Sequence, residues 1–180
     1  RSGWSGEKGY EIYLCDGKLG NELWEIIMKA GEDFNIAPAA PSQISRIECG
    51  MLSYGSDMSL NENPYDINLG KLVNLEKKAD CLSRTALTSI KQKGNTRELV
   101  GVEIIGEKFS NYVADHLPVY IDEEIVGKIT SSVFSPRLNK NIGLALLNTK
   151  RNLKPRTITI KLNNNLAEVK ICSLPFLRNK

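Results

Sequence analysis

Apolar and polar positions along this chain repeat with two different periods. From Gly9 to Cys15 the period is two: Tyr10, Ile12 and Leu14 fall on one side, and Glu11, Tyr13 and Cys15 on the other. That alternation predicts a strand buried on both faces, with one carboxylate, Glu11, set among aromatic and apolar neighbours. The period then becomes helical. Leu19, Leu23, Ile26, Ile27 and Ala30 recur at helix spacing in "KLGNELWEIIMKAGEDF", and Gly31 stands where that helix ends. "NIAPAAPSQ" reads as a proline-broken connector. "SQISRIECGMLSYG" predicts a second helix ending near Gly50 or Gly55, and "SDMSLNENPYD" a loop. "INLGKLVNL" predicts a strand, and "DCLSRTALTSIKQKG" a short helix with a glycine stop.

From Leu99 onward the pattern is short β runs separated by turns: "LVGVEIIG", "LPVYID", "EIVGKITSSVFS", "NIGLALLN", "TITIKL" and "LAEVKICSLPF". Val119, Tyr120 and Ile129 are the β-branched and aromatic residues that favour strands. Regular short strands of this kind predict a small barrel or sandwich. The connector "QKGNTRE" is the expected boundary, dividing the chain into residues 1–95 and 96–180. There is no internal repeat.

Composition narrows the function. With 41% hydrophobic and 25% charged residues, the chain is an ordinary folded one rather than a disordered one. The net charge of +3 is mild and scattered; Lys150, Arg151, Lys154 and Arg156 form the nearest thing to a cluster, too sparse for a nucleic-acid footprint. No apolar run approaches the ~18 residues of a membrane helix, and no charged-then-apolar leader is visible, so a cytoplasmic protein is expected. Cys15, Cys49, Cys81 and Cys172 form no CxxC pair, and with the single His116 they match no standard zinc spacing. They read as reduced, mostly packed thiols. His116 reads as a loop residue before a strand. With one histidine and no GxSxG, a Ser-His or Cys-His hydrolase is not expected. "GEKGYE" precedes a strand rather than a helix, so it is neither a Walker loop nor a dinucleotide turn.

Four segments in order resemble one family. "SGWSGEKGYEIY" is similar to the folate-binding strand of the glycine-cleavage T-protein superfamily, whose usual form is near "GYTGEDGFEI". "SRIECGMLSYGSDM" resembles that family's "LRLEAGMxLYGxDM". "NPYDINLG" followed by "LSRTAL" resembles "TPxEAGLGW" and "FIGREAL". "GKITSSVFSPRLNKNIGLALL" resembles "GxVTSGxxSPxLxKxIALA", with "SLPF" as the closing strand. Within the superfamily, Trp4-Ser5, Tyr13, "LSYG" at 52–55 and Asn63-Pro64 look like the dimethylsulfoniopropionate demethylase branch. Gly50 keeps a T-protein glycine that the demethylase lacks. Asn68 replaces a family glycine, and asparagine is the best other residue for a left-handed backbone. Lys71 and Ser83 also depart from the T-protein pattern.

For Glu11 the residues alone leave two readings: an ion pair or water-facing carboxylate, or a clamp that takes two parallel hydrogen bonds from a ligand. The resemblance implies the second, with Glu11 as the pterin-binding glutamate of tetrahydrofolate. Trp4 and Tyr13 are core aromatics or walls for a flat ring or a cationic group. Arg46 pairs with Glu48, caps a helix, or by resemblance lies near the cofactor's glutamate tail. Tyr54 is a further candidate. Asp57, Asp66 and Lys71 read as solvated loop charges, and Trp24 as packing.

The fold class implied is α+β: an α/β segment of a folate-binding domain followed by a C-terminal antiparallel β-barrel. The resemblance also implies one-carbon transfer to tetrahydrofolate, from a small-molecule methyl donor or from a lipoyl carrier protein, without a metal. The family runs to roughly twice this length, so the chain is expected to be a C-terminal half whose N-terminal half carries the catalytic residues. A non-catalytic folate-binding relative is the alternative; such relatives usually carry a KGCYxGQE-type motif, which this sequence lacks.

Overall fold

In the computed structural model, which describes residues 3–78, 81–149, 158–162 and 165–177, all six expected β runs are strands. They are β1 (Arg97–Ile104), β2 (Leu117–Ile121), β3 (Glu124–Ser135), β4 (Lys140–Asn148), β5 (Ile158–Leu162) and β6 (Asn165–Cys172). They close into an antiparallel barrel in the order β1-β4-β3-β2-β5-β6, with β1 paired to both β4 and β6. Among the described residues, closure leaves no open sheet edge.

The alternation within each strand sorts the core. Val102, Ile104, Val119, Ile121, Ile129, Ala145, Leu147 and Ile160 fill the barrel interior. Ile142, Leu144 and Leu146 face outward into a second cluster with Ile47, Leu99 and Val133. The apolar run "NIGLALLN" is continuous because β4 is buried on both faces. Gly143 permits a close approach of β3: a Cβ there would lie 2.7 Å from the Ser131 carbonyl oxygen.

The outer cluster is covered by helix α2 (Gln43–Glu48) and by the tail residues Leu174 and Phe176. Ser42 caps α2: its Oγ accepts from the Ser45 N–H at 3.1 Å. The helix stops at Gly50, whose φ is +66°. Met51 N–H donates to Arg46 C=O (2.8 Å) and Gly50 N–H to Ile47 C=O (2.9 Å), a paired closure that satisfies the last carbonyls. Of the two expected stops, the first is used.

Three expected elements differ. Residues 9–15 form no strand; Tyr10 and Tyr13 are 81% and 84% exposed, and Glu11 is exposed too. Alternation supplies two faces, but a strand also needs a neighbour to take its backbone hydrogen bonds. Helix α1 (Gly20–Ala30) forms as the spacing predicts, flanked by single turns at Gly17–Leu19 and Glu32–Phe34. None of its residues is buried, and Trp24 is half exposed rather than packed. "INLGKLVNL" is a turn-rich segment instead of a strand. Asn63 Oδ1 accepts from the Tyr65 and Asp66 N–H groups (2.9 and 3.2 Å), and Asn68 sits at φ +60° with its Nδ2 donating to Leu99 C=O at 2.6 Å. Side-chain bonds of this kind compete with a ladder.

Helix α3 (Arg84–Lys93) ends at Gly94, as expected. The thiols correct a further expectation: Cys15 and Cys81 are exposed, and Cys49 and Cys172 are partly buried. The basic run at 150–156 lies outside the described residues. Among the described residues no helix is long and apolar enough to cross a membrane.

Candidate functional site

Arg46 is the centre of a buried polar site. It projects from α2 and is fully buried. Its Nη1 donates to Asp57 Oδ2 (2.6 Å) and to Met51 C=O (2.9 Å), Nε to Gln43 Oε1 (2.8 Å), and Nη2 to the Tyr112 hydroxyl (3.1 Å). The guanidinium also lies 5.3 Å from the Trp4 ring centroid and 5.8 Å from that of Tyr112. Arg46 therefore pairs with Asp57, not Glu48, and its guanidinium carries Trp4.

Asp57 is buried, which corrects the expectation of a solvated charge. Its Oδ2 also accepts from Ser53 N–H at 2.9 Å, and its Oδ1 accepts from Thr130 Oγ1 and Ser131 Oγ, both at 2.6 Å. Adjacent residues of a regular strand point to opposite faces. Here the β3–β4 register shifts between Ile129 and Ser131, and both hydroxyls reach one carboxylate oxygen. The buried ion pair is tolerated because hydrogen bonds satisfy both oxygens.

Asp66 is buried as well. It accepts from Asn63 Nδ2 (2.8 Å) and Arg97 Nη2 (2.9 Å), tying the 59–66 loop to the start of β1. Lys71 is exposed, as expected. His116 lies in the loop before β2, as expected, with Nε2 2.9 Å from Ser56 C=O. Among the described residues no group of His, Cys, Asp and Glu is placed to hold a metal ion.

The remaining candidates form a second pair. Tyr13 donates its hydroxyl to Glu11 Oε2 at 2.8 Å. That hydrogen bond, with the nearby negative charge, raises the Tyr13 pKa above the ordinary tyrosine value and keeps the hydroxyl protonated. Tyr54 is exposed on the loop that Asp57 anchors, where Gly55 N–H donates to Met58 C=O at 2.8 Å. So Trp4 and Arg46 meet, Glu11 and Tyr13 meet, and Tyr54 stands beside the Asp57 anchor.

Sequence reasoning missed Asp57, Tyr112, Thr130 and Ser131. One signal was present: "TSS" at 130–132 is a run of hydroxyl residues inside an apolar strand, and buried hydroxyls need partners.

Two family models match the chain. The "GCVT N-terminal domain" covers residues 1–77 and the "Glycine cleavage T-protein C-terminal barrel domain" covers residues 97–177. The chain belongs to the glycine cleavage T-protein superfamily. The first match contains Trp4, Glu11, Tyr13, Arg46 and Tyr54; the second contains all six strands. The aminomethyltransferase of Bacillus cytotoxicus is 31% identical over 180 residues, covering 99% of this chain and 48% of the relative. The dimethylsulfoniopropionate demethylase of Ruegeria pomeroyi is 35% identical over 147 residues, covering 82% of this chain and 39% of the relative. The crystal structure of glycine cleavage system aminomethyltransferase T from Bartonella henselae superposes with a TM-score of 0.76 at 20% identity, over 87% of this chain and 44% of that one, a likeness of fold. The chain thus spans about half the length of the T-protein relatives it matches.

Proposed function

We propose that this chain is the C-terminal half of a tetrahydrofolate-dependent one-carbon transferase of the demethylase type, acting in the cytoplasm. The observation that carries the reading is the Glu11–Tyr13 pair on the same segment as Trp4, which Arg46 holds. The residues fit a pterin. Glu11 is an exposed carboxylate able to accept paired N–H bonds, and the Tyr13 hydroxyl, donating to Oε2, orients it. Trp4 offers a ring face fixed from behind by a buried cation. Tetrahydrofolate supplies a nucleophilic nitrogen, N5, that takes up the one-carbon unit. The protein's part is to bind and align, and alignment alone contributes much of the rate in such reactions. In this reading residues 1–95 belong to the folate-binding region and 96–180 to the barrel. The exposed apolar side chains of residues 10–36 meet the part of the fold that full-length relatives carry beyond the matched span.

The demethylase branch is preferred for Trp4-Ser5, Tyr13, "LSYG" and Asn63-Pro64, which imply a small methylated sulfonium donor. Aminomethyl transfer from a lipoyl carrier is the second reading. It is favoured by Gly50, whose φ of +66° closes α2 and which retains the T-protein residue.

The test is calorimetric titration of tetrahydrofolate into the full-length polypeptide to which this chain would belong. Glu11→Gln replaces one acceptor with a donor and is expected to weaken binding by about 1.5–3 kcal/mol, the range for hydrogen bonds to a charged group. Glu11→Ala is expected to cost at least as much. Unchanged affinity in both, with circular dichroism showing an intact fold, overturns the reading.

A further inference from the structure

Glu48 is completely buried, two residues after Arg46 on α2. Its Oε1 accepts from Ser135 Oγ at 2.5 Å. Its Oε2 takes no hydrogen bond, and the Arg137 Nη1 lies 3.5 Å away. A buried carboxylate oxygen without a donor is an unfavourable group, so the nearby guanidinium matters to it. The other arm of the same guanidinium, Nη2, donates to Glu7 Oε1 at 3.0 Å. Arg137 stands in the turn between β3 and β4, so three separate parts of the chain meet at one side chain.

We propose that Arg137 is a positioning residue: by bridging Glu7 to Glu48 it holds the segment that carries Trp4 and Glu11 against α2 and the barrel. Glu7 lies between the two candidate ligand residues. Trp4 is three positions before it, stacked on Arg46, and Glu11 is four positions after it. The clasp and the stack grip residues 4–7, while residues 10–15 are exposed. A planar fork suits a bridge between two carboxylates better than a point charge does. The consequence for cofactor binding rests on the function proposed above; the clasp itself does not.

The experiment reads Trp4 directly. The chain has two tryptophans, so Trp24→Phe on the exposed face of α1 leaves Trp4 as the reporter. Acrylamide quenching is measured in that background with Arg137→Gln, Arg137→Lys, Arg137→Met and Glu7→Gln. Arg137→Gln and Glu7→Gln are expected to raise the accessible fraction of Trp4 by about two- to fivefold, the range a partly exposed ion pair supports. Arg137→Lys, which keeps the charge, is expected to recover part of the loss, and Arg137→Met, which keeps the length without the charge, is expected to recover none. Recovery by Arg137→Met equal to that by Arg137→Lys would mean bulk rather than charge and overturn the clasp. Should Arg137→Gln fail to fold, Glu7→Gln still decides the matter, because Glu7 lies on the surface away from both cores. Quenching equal to the parent in Glu7→Gln overturns the clasp. Failure of the unsubstituted full-length polypeptide to bind tetrahydrofolate, with Trp4 responding as expected, overturns the proposed function and leaves the clasp standing.

Discussion

Asp57 accepts hydrogen bonds from α2, from its own loop and from two consecutive residues of β3. Truncating it leaves Arg46 as an uncompensated buried cation and two hydroxyls without their acceptor. Asp57→Ala is therefore expected to lower unfolding stability by about 3–5 kcal/mol, the range for breaking a buried pair from one side. A urea titration by tryptophan fluorescence checks this; a loss below ~1 kcal/mol would show that water replaces the network. In the sequence Asp57 sits in "YGSDM" among small polar residues, the composition of a solvated loop. Two of its partners lie 73 and 74 positions away, at Thr130 and Ser131. No local pattern encodes that meeting. Arg46 was legible as a site residue, but its acceptor, 11 positions on, was hidden by the loop-like composition around it.

At the scale of elements, hydrophobic period was a sufficient guide for the barrel. All six strands fall where alternation and β-branched runs predict them, since each finds a neighbour on both sides. The 9–15 segment has an equally clear period and forms no ladder. Turn chemistry was less legible. The β2–β3 hairpin closes through Asp122 and Glu123, both at positive φ (+48° and +67°), a two-residue turn that favours Asn-Gly. Glutamate at a left-handed position is strained by roughly 1–2 kcal/mol, whereas glycine is not. Glu123→Gly is thus expected to raise the barrel's stability by about 1 kcal/mol, less than the full strain because glycine also gains freedom in the unfolded chain. The midpoint of chemical denaturation reads this. A lower midpoint would mean that the Glu123 side chain contributes more than its backbone costs.

The whole molecule divides into a closed barrel with two packed clusters and a leading segment whose apolar side chains face outward, Tyr10, Ile12, Trp24, Ile26 and Phe34 among them. If the function proposed above holds, this chain by itself is expected to show no methyl transfer from dimethylsulfoniopropionate and no aminomethyl transfer from a lipoyl carrier. Product formation with added tetrahydrofolate is the assay, and robust turnover would mean that the matched span alone builds the site. The barrel's closure has a consequence of another kind. Because β1 and β6 are antiparallel neighbours, with Gly101 opposite Cys172, the polypeptide leaves the barrel at the end where it entered. Leu177 N–H then returns to Glu48 C=O at 3.0 Å, back on α2. A genetic event could splice this barrel into a host protein, or remove it, without moving the host's own ends apart.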